Sequence, residues 1–287
     1  MTASASEQLV EALTAVGCEA APTAVDPVVL SERAGRLVVR VGDVVVKAHA
    51  VGTDPDALAA RLRLVADRQQ PGPVWLPPVG GVRHVRDRLV TVWPAAETVA
   101  GADPDSAPWV EGAELLARLH RCALPADVPA AGFAAGVERA VTRMGTGSAA
   151  DAVRRAFRGL GLPHGGSAVV HGDWHLGQVV HHGGWRLIDV DDLGLGDPAW
   201  DLARPAALYA VGLLDPVLWA RFLDAYRAAE GPAVPATGDP WPVLDTPARA
   251  AVIRLAAQAV VRAGSTEMDE TDVLLVDACV RMSEDRR

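Results

Sequence analysis

"VVHGDWHLGQVV", residues 169–180, begins and ends as an apolar strand would, yet its middle carries His171, Asp173, His175 and Gln178. A buried strand reads as a continuous apolar run. Polar side chains between two valine pairs therefore mark a loop with chemistry to perform. Downstream, a second short apolar stretch, "WRLIDV" at 185–190, contains Asp189, and Asp191 and Asp192 follow at once.

The spacing of His171, Asp173 and Gln178 matches the H-R-D-x-x-x-x-N loop of kinases, with Asp189 standing where the metal-binding Asp of the next motif stands. Phosphoryl transfer asks a protein to place a hydroxyl in line with the γ-phosphate and to neutralise charge on the phosphate oxygens through magnesium. A carboxylate must face the hydroxyl, which suits Asp173. An amide oxygen and a second carboxylate must hold the metal, which suits Gln178 and Asp189. Gln keeps the amide oxygen of the usual Asn and adds a methylene.

Lys47 is the single lysine in the chain; the other 26 of its 27 Lys and Arg residues are arginine. A bias toward arginine explains the 26 and not the exception. Lys47 lies in "VVVKAHA", 44–50, which corresponds to the V-A-I-K strand of kinases. There a compact ammonium meets the α- and β-phosphates, a task for which the wider guanidinium fork is a poor substitute.

The surrounding pattern predicts an α+β chain. A helix over 5–16 stops at Gly17, and strands follow at 28–30, 37–41 and 44–50. A helix opened by Asp54-Pro55 runs to about 68, and two further strands fall at 79–85 and 88–93. "VWPAAETVAGADPDSAP", 92–108, reads as a hinge. From Trp109 the pattern is mostly helical, with segments in "PWVEGAELLARLH", "RAVTRM" and "DAVRRAFRGL", and near 201–229, 246–264 and 269–283. "HHGG", 181–184, reads as a turn between two strands. His171 is expected to hold the loop backbone, Asp197 to cap a helix starting at Pro198, and Asp201 to bond the catalytic loop from below. Trp109, Trp200 and Trp219 are expected in the core, and Trp174, next to Asp173, is a candidate to stack on a sugar ring.

"VVHGDWHLGQVV" followed by "RLIDVDDLGLGDPAWDLA" resembles the aminoglycoside phosphotransferase and choline kinase group, whose pattern is His-Gly-Asp, four residues, Asn, then Ile-Asp, Gly-Asp-Pro and Asp-Leu-Ala. The His-Gly-Asp-x-His-Leu-Gly-Gln form is closer to the maltokinase and glucosamine kinase branch. The resemblance implies a two-lobed, protein-kinase-like fold. A small antiparallel-sheet nucleotide-binding lobe would span 1–96 with the hinge at its end, and a larger, mostly helical lobe, 97–287, would carry the catalytic loop and acceptor site. It further implies ATP (or GTP) and Mg2+ as cofactors. Asp173 would be the base or hydroxyl-orienting group, Gln178 and Asp189 the magnesium ligands, and Lys47 the phosphate contact. Trp93, Pro94 and Ala96 would form the hinge strand against adenine, with Ala96 the donor because Pro94 has no N–H. Two features depart from the pattern. The helix over 54–68 offers Lys47 no Glu, only Asp54, Asp56 and Asp67, and "SERAGR" is a glycine-rich loop with a single glycine.

A net charge of −9 and a pI near 5.3 give no footprint for nucleic acid or an anionic membrane surface. Cys18, Cys122 and Cys279 lack metal or redox spacing, and no stretch approaches the ~18 apolar residues of a membrane span, so a cytoplasmic protein is expected. The acceptor expected first is an aminoglycoside or amino sugar. Asp191, Asp192, Asp224, Asp269, Glu270 and Asp272 would suit a cationic acceptor, while a neutral sugar such as maltose or a choline-like alcohol is the alternative. Two readings from other classes compete: a metal-dependent hydrolase using His171, Asp173, His175 and His182, and a catalytically weak nucleotide-binding module.

Overall fold

Beyond position 27 valine-rich stretches recur, and in the computed structural model they form a five-stranded antiparallel sheet. The structure describes residues 5–21, 25–33, 35–67, 73–99, 104–125, 127–162, 165–264 and 267–284. It divides into two compact units: Met1–Thr98 with Pro125–Pro129 and Val179–Asp191, and Val99–Leu124 with Ala130–Gln178 and Asp192–Arg287.

The first unit opens with α1 (Ala5–Ala20), β1 (Val28–Arg33), β2 (Arg36–Val41) and β3 (Val44–Ala48). It continues with α2 (Pro55–Ala66), β4 (Arg83–Val85), β5 (Arg88–Pro94) and β6 (Glu97–Thr98). The sheet order is β1-β2-β3-β5-β4. Successive side chains on a strand point to opposite faces. Leu37, Val39, Val41, Val44, Val46, Ala48, Val90 and Val92 thus share one face, where Leu9, Leu13 and Val16 of α1 cover them. By the same alternation Arg36, Lys47, His49, Thr91 and Trp93 take the other face. Asp54 caps α2 by accepting the amides of Asp56 and Ala57 at 2.9 and 3.1 Å, and Pro55 occupies its first turn.

Numbered in chain order, the second unit contains α3 (Trp109–His120), α4 (Phe133–Arg143), α5 (Ser148–Arg158) and β7 (Ala168–Val170). In the first unit β8 (Val179–His181) pairs with β6 and with β9 (Trp185–Leu187). The second unit then adds β10 (Gly194–Gly196), antiparallel to β7, and α6 (Ala203–Ala210), α7 (Pro216–Ala228), α8 (Trp241–Ala263) and α9 (Glu270–Glu284). The α+β class, with a small antiparallel sheet first and helices after, is the expected one.

Three expectations need correction. α1 runs past Gly17, whose missing side chain lets the helix approach the sheet: a Cβ there would stand 2.7 Å from the Cβ of Val41. The segment near 201–229 is two helices, because Gly212 adopts φ +78° and Asp215-Pro216 caps a new helix. α8 begins at Trp241 rather than 246, and continues through a buried Pro247. Trp109, Trp200 and Trp219 are buried as expected, and the turn after β8 closes with the His182 amide on the Gly184 carbonyl at 2.9 Å. Among the described residues no helix is long and apolar enough to cross a membrane. The cysteines are free thiols, and burial pushes Cys279 up to about 12.

A Gly→Ala change inside a helix ordinarily stabilises, by up to ~1 kcal/mol. Gly17→Ala should instead destabilise by about 1–3 kcal/mol through overpacking against Val41, measured as a lower denaturant midpoint at unchanged slope.

Candidate active site

Lys47 leaves β3 on the face away from the α1 core, and its side chain is buried. A buried ammonium requires carboxylates. They come from the segment after β9: Lys47 Nζ lies 2.7 Å from Asp189 Oδ1 and 3.0 Å from Asp191 Oδ1. β9 ends at Leu187, and Asp189 takes φ +66°, a left-handed conformation Asp tolerates better than most residues. The partner that α2 does not supply is therefore Asp191, together with Asp189.

Asp191 is the hub of this cluster. Besides Lys47 it pairs with Arg36 Nε at 2.6 Å and with His49 Nδ1 at 2.9 Å. His49 Nε2 lies 2.9 Å from Thr91 Oγ1, which also accepts Trp93 Nε1 at 2.9 Å. One proton arrangement satisfies the chain: Trp93 donates to Thr91, Thr91 to His49, and His49 through Nδ1–H to Asp191. Burial opposes ionisation of Asp191 most strongly, but Lys47, His49 and Arg36 outweigh it and hold the carboxyl well below the usual range. Burial likewise works against the Lys47 ammonium, and Asp189 and Asp191 overcome it, raising its pKa.

At the end of β5 the Ala95 amide donates to the Asp43 carbonyl at 2.7 Å, and Pro94 has no N–H. The Ala96 amide, by contrast, donates to no described residue. Arg88 Nη1 donates to the carbonyls of Gly35 and His49, pinning the β1–β2 turn in which "SERAGR" lies; its Ala34 falls outside the described residues.

In the second unit the loop after β7 is fixed by one carboxylate. Asp201 accepts the amides of His171 and Gly172 at 2.6 and 2.8 Å, and bonds His120 Nε2 at 2.9 Å. His120 Nδ1 meets the Tyr226 hydroxyl at 2.7 Å, and Tyr226 accepts the Ala233 amide at 3.0 Å. Burial again opposes ionisation of Asp201, and hydrogen bonds and charge from His120, with His171, keep its pKa low. Gly172 has φ +83°, and a Cβ there would lie 2.1 Å from the Asp192 carbonyl oxygen, so no other residue fits. Asp197 caps the following turn by accepting the Ala199 amide at 2.9 Å.

The loop ends in a 3-10 turn, Leu176–Gln178, which leaves Gln178 buried. Asp173 stays partly exposed and pairs with Arg254 Nη2 at 3.0 Å. It lies in a cleft with Arg204, Arg254, Gln258 and aromatic walls that include Phe133 and Trp200. Trp174 borders this cleft but is only 3% exposed and packs on Phe222 at 5.2 Å, which leaves no open ring face for a sugar.

The structure brings Lys47 to Asp189 in one unit and places Asp173 and Gln178 on one loop in the other. Sequence reading missed Asp191 as the partner of Lys47, and Arg204 and Arg254 beside Asp173. One signal was present for Arg254: it interrupts an otherwise apolar run of α8. Among the described residues no three His, Cys, Asp or Glu side chains group to hold a metal. His182, which the hydrolase alternative requires, has Nδ1 3.2 Å from the Ala95 carbonyl instead.

The model of the phosphotransferase enzyme family (APH) matches residues 28–241. The chain belongs to this family. Such a protein is a small-molecule phosphotransferase whose acceptor group is a hydroxyl. No match was found among curated proteins. Solved structures share the protein-kinase-like fold at low identity. A thermostable mutant of the aminoglycoside phosphotransferase APH(4)-Ia, in ternary complex with AMP-PNP and hygromycin B, superposes with TM-score 0.63 at 14% identity, covering 96% of this chain and 98% of that one. For choline kinase LicA from Streptococcus pneumoniae the figures are 0.58, 14%, 98% and 100%. For a choline/ethanolamine kinase family protein from Mesorhizobium loti they are 0.57, 17%, 98% and 94%.

Within this phosphotransferase, Asp191→Asn should cost about 3 kcal/mol at pH 7, because it leaves buried cations short of an anion. A carboxyl held below its unfolded value contributes stability that is complete above about pH 4 and is lost as pH falls. The gap between wild type and variant, from denaturant unfolding, should therefore narrow below pH 4 and stay constant above pH 5.

Proposed function

We propose that the protein transfers the γ-phosphoryl group of ATP to a hydroxyl of a small molecule. The observation that carries this reading is the position of the lone lysine, buried and ion-paired to Asp189, the aspartate that the kinase pattern reserves for metal. Asp173 orients the acceptor hydroxyl and accepts its proton. The acceptor oxygen then forms its bond to the γ-phosphorus while the bond to the β-phosphate oxygen breaks, and ADP leaves. Lys47 contacts the nucleotide phosphates. Trp93 and Pro94 line the adenine, and Ala96, whose amide has no acceptor among the described residues, donates to it.

Each residue taken by itself is chemically suited to magnesium: Asp189 keeps a partly exposed carboxylate, and the buried Gln178 has an amide oxygen, both hard donors. Bound there, the ion would neutralise phosphate charge. Asp191, committed to Lys47, Arg36 and His49, serves as the positioning residue for the lysine.

An aminoglycoside or amino sugar is the acceptor type expected first, and the acidic residues late in the chain would suit its positive charge. Those residues do not line the cleft at Asp173. Asp192 pairs with Arg139 at 3.5 Å and Asp272 with Arg262 at 2.6 Å, while Asp269 accepts the Asp272 amide at 2.8 Å. Charge in the cleft does not favour a cationic acceptor.

ADP release in the presence of magnesium and an acceptor tests the assignment. Asp173→Asn should lower kcat about 10²–10⁴-fold, and Asp189→Asn should abolish both transfer and magnesium-dependent nucleotide binding. Lys47→Arg should be nearly as damaging, and Gln178→Asn tolerated or mildly impaired. Lys47→Arg within about twofold of wild type would remove the phosphate contact.

A further inference from the structure

The cleft beside Asp173 holds more positive than negative charge. Among the described residues, Asp173 is its only acidic one, and Arg204 and Arg254 are its basic ones. Ala251, Arg254, Leu255 and Gln258 reach it from one face of α8, at positions i, i+3, i+4 and i+7.

Arg254 is built into the wall. Its Nη2 is 3.0 Å from Asp173 and its Cζ sits 5.8 Å from the centroid of the Phe133 ring. Gly136 makes room for it, since a Cβ there would stand 3.2 Å from that Cζ.

Arg204 has no such arrangement. It lies in the first turn of α6, where the helix dipole disfavours a cation, and its side chain makes no hydrogen bond or salt bridge to any described residue. It is partly buried, and burial lowers its pKa, with Asp173 opposing and Arg254 adding to the effect. A guanidinium nevertheless keeps its proton in a protein. Two fixed cations thus share one carboxylate, and the carboxylate is already bonded to Arg254.

We propose that the acceptor carries an anionic group, a carboxylate or a phosphate, that docks on Arg204 while its hydroxyl meets Asp173. The guanidinium fork matches two oxygens of either group. The tilted Phe133–Trp200 pair, 4.6 Å between centroids, gives the carbon skeleton an aromatic wall. A polycationic aminoglycoside would instead bring ammonium groups against two guanidinium groups. The inference rests on the kinase reading of Asp173.

The test uses the full chain. Glucuronate, glycerate, glucose 1-phosphate, glucose, glucosamine and kanamycin are each titrated while tryptophan fluorescence is followed, then offered as acceptors in the ADP-release assay. At least one anionic compound should bind, and should be phosphorylated with kcat/KM at least tenfold above glucosamine and kanamycin. The sugar acids and the sugar phosphate separate carboxylate from phosphate recognition. Arg204→Gln should raise acceptor KM at least tenfold, with kcat falling less. Arg204→Lys, which keeps the charge, should recover part of the loss, and equal melting temperatures would exclude misfolding as the cause. Preference for a cationic or neutral acceptor, an unchanged ranking in Arg204→Gln, or no response to any anionic compound would overturn the proposal. A fluorescent ATP analogue is titrated in parallel: if it binds while anionic acceptors do not, the acceptor inference alone fails, and if it does not bind, the kinase reading fails.

Discussion

A single ammonium inside the first unit sets the terms for the residues around it. Removing Lys47 from water is unfavourable by several kcal/mol unless anions accompany it, and the structure supplies two, Asp189 and Asp191. Those carboxylates lie 142 and 144 residues away in sequence, so the pairing ties the segment after β9 back onto β3. Arg36, His49 and Thr91 share that sheet face and complete the hydrogen bonding around Asp191. Opposite-face alternation puts the α1 core on one side of the sheet and this charged network on the other.

The second unit repeats the device with different chemistry. Asp201 is fully buried and takes its compensation from two backbone amides and His120 rather than from a lysine. The result is a fixed loop geometry around Gly172 that leaves Asp173 partly exposed beside Arg254. In both units a buried carboxylate orders a loop while a neighbouring aspartate, Asp189 or Asp173, stays partly exposed. The aspartates that organise and those assigned to act are different residues.

Much of this was legible in the sequence because local rules decide it. A period of two located β2, β3 and β5; Asp54-Pro55 opened α2; polar residues between two valine pairs marked the catalytic-type loop; and Asp201 stood where it could brace that loop. What was not legible depends on tertiary contact. No local pattern links Asp191 to Lys47, and Trp174 beside Asp173 reads equally as an exposed platform or a core residue until Phe222 covers it. Arginine adds a further obstacle. It fills every basic position but one, so Arg204 does not stand out and Arg254 does so only by interrupting an apolar run, whereas the lone lysine at 47 is conspicuous. Gly17 shows the same limit: it reads as a helix stop, and only the proximity of Val41 shows that it permits close packing.

In the function proposed for this protein, the Lys47 ammonium meets the phosphates of a bound nucleotide. Because no other lysine exists in the chain, an acyl phosphate of ATP, which acylates an amine held near its terminal phosphate, gives an unambiguous readout by peptide mass spectrometry. The folded protein should be acylated at Lys47, and excess magnesium-ATP should suppress the modification. An unmodified Lys47, or one modified equally with and without excess ATP, would contradict it.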